Sequence, residues 1–340
     1  MVTIRHGDDQ ETPMRRRDLL ALGLAALPAA GLRRASAQSK YPERAIRLVV
    51  PFPPGGVYDA VGRPWADRIK PLLGTVVVDN IGGAGGSLGT GAVARAQPDG
   101  YTILLGGGGA FVITPIAASR PPFDPISDFD PIAILVTTGL AIVAHPSVPA
   151  NTLAELIDYA KRNPGKLSYG SAGVGTMNHL AGELLKSLTG TGDIVHVPYK
   201  GAGPSITDLI SGQIPIASVN VTGQVIELNR SGKLRMLAVA SPSRLGAAPD
   251  IPTAVEQGLP GMIAQNFIGL FAPARTPPAI IEQVAQATLA VMDDELFLRS
   301  LTASGFEPYP ASTPEKARRL VADETARWRP VIKAIGLKLD

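Results

Sequence analysis

Short runs rich in Val, Ile and Leu alternate with longer amphipathic stretches along most of this chain, and that alternation leaves few folds open. Strand candidates are 46–50, 76–79, 102–105, 140–144, 167–169, 194–197, 214–219 and 235–240. Helical patterns lie at 57–70, 90–96, 153–162, 177–188, 204–210 and 222–230, with three more at 278–292, 295–304 and 314–334. Strands linked through helices pair in parallel, because only a crossover of a dozen or more residues can return the chain to the same edge. The pattern predicts an α/β chain whose parallel sheets are covered on both faces, and so many strands fit two sheets better than one. Turn signals agree. Pro98-Asp99-Gly100, Asn163-Pro164-Gly165 and Ser231-Gly232-Lys233 each separate a helix from the next strand. No internal repeat is visible.

The first 37 residues are of another kind. Arg15-Arg16-Arg17-Asp18-Leu19-Leu20 opens an apolar stretch to about Leu32, and Ala35-Ser36-Ala37 supplies the small-x-small pattern that signal peptidase cuts, before Gln38. The apolar run is well short of the ~20 residues that span a bilayer. Arg16-Arg17 ahead of Leu19-Leu20 resembles a twin-arginine signal, and Arg33-Arg34 near the cleavage site disfavours the general secretory route; an ordinary Sec signal is the alternative. Residues 1–13 read as an extension ahead of a start at Met14. The mature chain is expected in the periplasm.

Charge then bears on partners. Six of the 32 basic residues and four of the 29 acidic ones fall in residues 1–37, which leaves 26 against 25 in the body. A near-neutral body lacks the clustered positive charge that nucleic acid or an acidic membrane requires. There is no cysteine, so disulfides, thiolate chemistry and cysteine-held metals are excluded.

Two loops stand out as ligand candidates. Pro51-Phe52-Pro53-Pro54-Gly55-Gly56 joins a strand to a helix, as does Gly170-Ser171-Ala172-Gly173-Val174-Gly175-Thr176. In an open α/β sheet, ligands bind beyond the carboxyl ends of the strands. A helix N-terminus there presents free N–H groups and about half a positive charge, which suits an anion. Neither loop holds a lysine or arginine. The bland alternatives are a tight turn for the first and simple helix capping by Thr176 or Ser171 for the second. The run Gly106–Gly109 after a strand signals close backbone approach.

Other features point to little chemistry. Gly82–Gly89 superficially suggests a dinucleotide loop, but Leu88 stands where the last glycine of G-x-G-x-x-G belongs and no P-loop lysine follows. A packing role is expected. Of four histidines, His6 lies outside the mature chain, His145 precedes a proline and His196 sits in an apolar strand. Only His179 neighbours a candidate loop, and a hydrogen-bonded structural role is the simpler reading. Asp59 precedes Arg63 by four residues, a spacing that predicts an ion pair on the first helix. No metal-ligand spacing or nucleophile motif is present, and no cofactor is expected.

Many segments in order resemble one family. YPERAIRLVVPFPPGGVYDAVGR, PDGYTILLG, FDPISDFDPIA, the stretch from His145 through Leu185, VHVPYKGAGPSITDLISGQI, GKLRMLAVAS and GLFAPARTP are similar to the Bug proteins, the periplasmic solute receptors akin to the tripartite tricarboxylate transporter receptor. The similarity runs from about Tyr41 to the C-terminus. It implies a type II periplasmic-binding-protein fold: two α/β domains, 39–141 plus 255–340 and 142–254, joined by crossing hinge strands with the ligand cleft between them. It implies a small carboxylate ligand, held largely through backbone N–H groups. By position it implies binding roles for Gly55, Gly56, Val57, Tyr58 and Asp59, for Ser171, Ala172, Gly173, Gly175, Thr176 and His179, and for Ala110, Tyr199 and Asn220. Three positions depart from the family pattern: Asn220 where many relatives carry Asp, Tyr58 where many carry a small residue, and Asn80-Ile81-Gly82-Gly83 without the usual Arg or Lys and Pro.

A monomeric, non-enzymatic receptor is the expectation. Its partners would be inner-membrane transporter subunits or, alternatively, the periplasmic domain of a sensor kinase. An exported hydrolase using Asp59 and His179 is the third reading, and it lacks an activated nucleophile.

Overall fold

The structure, a computed structural model, describes Thr3 and residues 41–339. The export signal, its cleavage site and Met14 lie outside the described residues. From Pro42 on the chain forms one compact unit, and all that follows concerns it.

β1 (Ile46–Val50) enters the first candidate loop and then α1 (Val57–Leu73). β2 (Val76–Asn80), α2 (Ser87–Ala94) and β3 (Thr102–Gly107) follow; a π-helical turn, Gly108–Ile113, runs into the short α3 (Thr114–Ala117). β4 (Phe129–Ala144) is 16 residues long. Next come α4 (Leu153–Arg162), β5 (Ser168–Ser171), α5 (Met177–Thr189), β6 (Val195–Pro198), α6 (Ala202–Ile210), β7 (Ile216–Asn220), α7 (Gly223–Arg230) and β8 (Arg235–Val239). β9 (Gln265–Pro273), α8 (Pro278–Met292), α9 (Glu295–Ala303), β10 (Glu307–Pro308) and α10 (Pro314–Ala334) complete the order.

The strands run β2-β1-β3-β9-β4-β7-β5-β6, with β10 and β8 also on β4. Both outer parts are parallel, as expected: β1 with β2 and β3, and β5 with β6 and β7. The centre is not. β9 pairs antiparallel with β3 and β4, and β4 pairs antiparallel with β7 and β8. The all-parallel expectation is therefore corrected to a mixed sheet. β4 is the shared element: its first part pairs with β9 and β10, and its last five residues pair with β7.

Residues 129–139 and 265–273 were not expected to be strands. Both are buried on both faces, so they lack the period-two alternation by which a half-exposed strand is recognised. Pro131, Gly139 and Gly269 break the runs further.

Helix starts differ in a way that matters for the site. Thr152, Thr176, Thr222 and Thr313 cap α4, α5, α7 and α10, each accepting a first-turn N–H. α1 starts at Gly56 with no side-chain cap. Between sheet and helices, Phe111 stacks on Phe271 at 4.2 Å between ring centres and meets Phe129 edge-on at 4.9 Å. That aromatic cluster anchors the π-helical turn to the central strands, and it thereby fixes the glycines just before it.

Candidate functional site

The first loop is braced from beneath. Asp59 is 5% exposed; its carboxylate accepts the Gly55 N–H, the Asn80 amide at 3.1 Å and Arg63 at 3.4 Å. The expected Asp59–Arg63 pair is thus present, and it belongs to a wider network. Asn80 also donates to the Phe52 carbonyl at 3.0 Å. Gly55 has φ +85°, a conformation that costs glycine nothing, and its N–H is spent inside the loop. The donors that remain are those of exposed Gly56 and of the first turn, Val57 and Tyr58, which an α-helix always leaves without an intrahelical partner.

The Tyr58 side chain points the other way. It is buried, stacks on Phe52 at 4.7 Å and sets its hydroxyl against Gly107 and Asn266. Burial pushes the phenol well above its usual value, and a hydrogen bond from Asn266 offsets only part of this. Gly82–Gly89 packs beneath the loop. A Cβ at Gly82 would lie 2.9 Å from Pro53, and one at Gly86 would lie 2.5 Å from Ala110. This is the packing role expected of that glycine run.

The second loop is held by its own hydrogen bonds. Ser171 Oγ accepts the Gly173 N–H at 3.1 Å and meets His196 Nε2 at 2.7 Å. Thr176 Oγ donates to the Gly173 carbonyl at 2.7 Å and accepts the His179 N–H at 3.3 Å. His179 Nδ1 accepts the Gly175 N–H at 3.2 Å, which requires that nitrogen to be unprotonated. The Ala172 and Ser171 carbonyls accept from Gly201 and Tyr199 at 3.1 Å each. Thr176 caps α5 as expected, and His179 is hydrogen-bonded back to the loop that precedes it.

Below the loop lies a stack of three rings. His179 sits 4.0 Å from His196, and His196 sits 4.8 Å from Tyr169. Tyr169 donates to Glu183 at 2.8 Å, and Lys186 pairs with Glu183 at 2.8 Å. Burial lowers both imidazoles. His196 falls to about 4, with the positive charge of a protonated His179 adding to burial, so the pair is neutral near pH 7. Burial alone would raise Glu183, but the hydrogen bonds from Lys186 and Tyr169 outweigh it and hold the carboxyl low.

Gly107–Gly109 touch both loops. A Cβ at Gly107 would collide with the Tyr58 hydroxyl and the Phe267 carbonyl; one at Gly108 would lie 2.9 Å from Asn266 Oδ1; one at Gly109 would lie 3.6 Å from Met177 N and 3.8 Å from Thr176 Cα. The end of β3 is therefore wedged between the starts of α1 and α5. Ala110 lies in the turn beyond, packed on Gly86. Tyr199 serves through its backbone: its hydroxyl turns to Asp208 at 2.7 Å, and burial together with that contact raises it to about 12. Asn220 closes β7 with its Oδ1 buried and without a hydrogen-bond partner among the described residues. Sequence reasoning missed Asn266, Met177, Asn80 and the partnership of His196 with Ser171. Only the glycine run before Ala110 had signalled the junction.

Among the described residues no cluster of His, Asp or Glu could hold a metal ion, and no helix is long and apolar enough to cross a membrane. The model of the tripartite tricarboxylate transporter family receptor (TctC) matches residues 61–337. The chain belongs to that family. The resemblance read from the sequence therefore holds, and this receptor shares the mixed α/β periplasmic-binding-protein fold. It is similar to the periplasmic binding protein BugD, with 36% identity and a TM-score of 0.78 over 88% of this chain and 99% of that one. It is similar to R. palustris Rpa4515 with adipate, at 32% identity and a TM-score of 0.80 over 88% and 99% of the two chains. MatC from Rhodopseudomonas palustris with bound malate is 30% identical, with a TM-score of 0.78 over 86% and 100%. The receptor is a periplasmic solute-binding protein.

Proposed function

We propose that this receptor captures a small carboxylate and delivers it to inner-membrane transporter subunits of the tripartite tricarboxylate type. The observation that carries the reading is the uncapped start of α1 at Gly56–Tyr58, set across a glycine junction from the start of α5. Free N–H groups at a helix start suit an anion, and neither loop offers a guanidinium or ammonium group instead. Adipate and malate in the two R. palustris neighbours are both carboxylates. In this reading Gly55, Gly56, Val57, Tyr58 and Asp59 form one wall, Ser171, Ala172, Gly173, Gly175, Thr176 and His179 form the other, and Asn220, Ala110 and Tyr199 line or support the space between. The halves 39–141 plus 255–340 and 142–254 close on the ligand by bending where the chain passes between them, late in β4 and in the connection that leads to β9. The chain reaches the periplasm by the twin-arginine route and acts as a monomer.

A thermal-shift panel of mono-, di- and tricarboxylates, neutral sugars and cations tests the ligand class. An acid at 100 times its dissociation constant should stabilise the receptor by about 2.7 kcal/mol. A shift with a sugar or a cation, and none with any acid, contradicts the reading.

A further inference from the structure

Asn266 is 7% exposed, and its side-chain oxygen has no hydrogen-bond partner among the described residues. It is the second residue of β9 and stands opposite Thr138 of β4. Its amide nitrogen serves the Tyr58 hydroxyl, while its oxygen faces Gly108, in the junction between the two helix starts. Asn220 repeats the situation on the other side of β4. It stands opposite Leu140, and its Oδ1 is likewise buried and unpartnered. Thr138 and Leu140 are two residues apart on one strand, and residues directly opposite in an antiparallel pair share a face. Asn266 and Asn220 therefore lie on the same face of the sheet, flanking β4.

Two buried side-chain carbonyls can only accept hydrogen bonds, and an unmade bond to a buried acceptor is costly. Within the described chain neither oxygen meets a donor, whereas the helix starts nearby supply donors only. The surroundings are complementary to a molecule with an anionic end for the N–H groups and an O–H or N–H for the asparagine oxygens. We propose that Asn266, with Asn220, selects carboxylates that also carry a hydroxyl or amino group on the carbon chain, and that Asn266 sets this specificity. The inference rests on the carboxylate reading above and narrows it.

Calorimetric titration with matched acids of three to six carbons tests it, each length supplied unsubstituted, hydroxylated and aminated: succinate, malate and aspartate at four carbons, adipate and its 2-hydroxy and 2-amino forms at six. The wild-type receptor should prefer a substituted acid over its unsubstituted match by about ten-fold or more. In Asn266→Leu that ratio should fall to near one, and in Asn266→Asp, which keeps an acceptor, the preference should persist. Melting curves of both variants establish that they fold. If Asn266 only braces Tyr58, Asn266→Leu weakens all acids alike and leaves the ratio intact, which overturns the inference. An acid that binds with no preference for either substituent overturns this inference alone. Failure of every acid to bind removes the carboxylate reading, and this one with it.

Discussion

Burial and the charge of a protonated His179 ring hold His196 down to about 4, against 6.5 for a free imidazole. Between those values the unfolded chain binds a proton that the folded chain refuses. The stabilising contribution is thus complete above pH 6.5 and is lost as pH falls towards 4. Melting temperature should drop over that window, and His196→Phe, which keeps the ring stack without the titration, should show a shallower drop. Equal slopes in the two proteins would contradict this account of the stack. The residues that sequence made legible are those whose partners are close along the chain: Asp59 with Arg63, and Thr176 with the N–H of His179. Asn266 was illegible because its meaning depends on Tyr58 and Gly108, more than 150 residues away.

Among the elements, the glycines closing β3 bear most on the site. Gly107 has no room for a side chain, and one of the two atoms in its way is the Phe267 backbone carbonyl, which cannot swing aside. Gly107→Ala should cost roughly 1–3 kcal/mol of stability. Gly192→Ala, with nothing within 4 Å, is the control and should cost far less. Denaturant unfolding of both measures the difference; equal midpoints would show that the junction yields easily. The same elements mark the limit of sequence reasoning. Helices at 153–162, 278–292 and 314–334 were read with the bounds the structure has, because capping residues, prolines and helical periodicity coincide there. β9 and the first part of β4 were not read, because a strand buried on both faces carries no alternation, and only the long-range pairing identifies it.

At the scale of the whole molecule, β4 belongs to both parts of the sheet, with the first loop on the β1 side and the second on the β5 side. The parallel outer strands followed from the strand–helix alternation. The antiparallel centre did not, since it depends on β4 running against β7 and β8 and on β9 returning after the long connection from β8. The central claim is that one carboxylate is held by backbone donors from both loops at once. Amide resonances of isotopically labelled receptor, followed while the tightest acid of the thermal-shift panel is titrated in, test it most directly. The N–H signals of Gly56, Val57 and Tyr58 should move downfield together with those of Ala172 and Val174, the loop amides not spent inside it, along a single binding curve, while those at the Thr313-capped start of α10 stay in place. An acid whose binding is proven by heat, yet which leaves the amides of either loop unmoved, would contradict the claim.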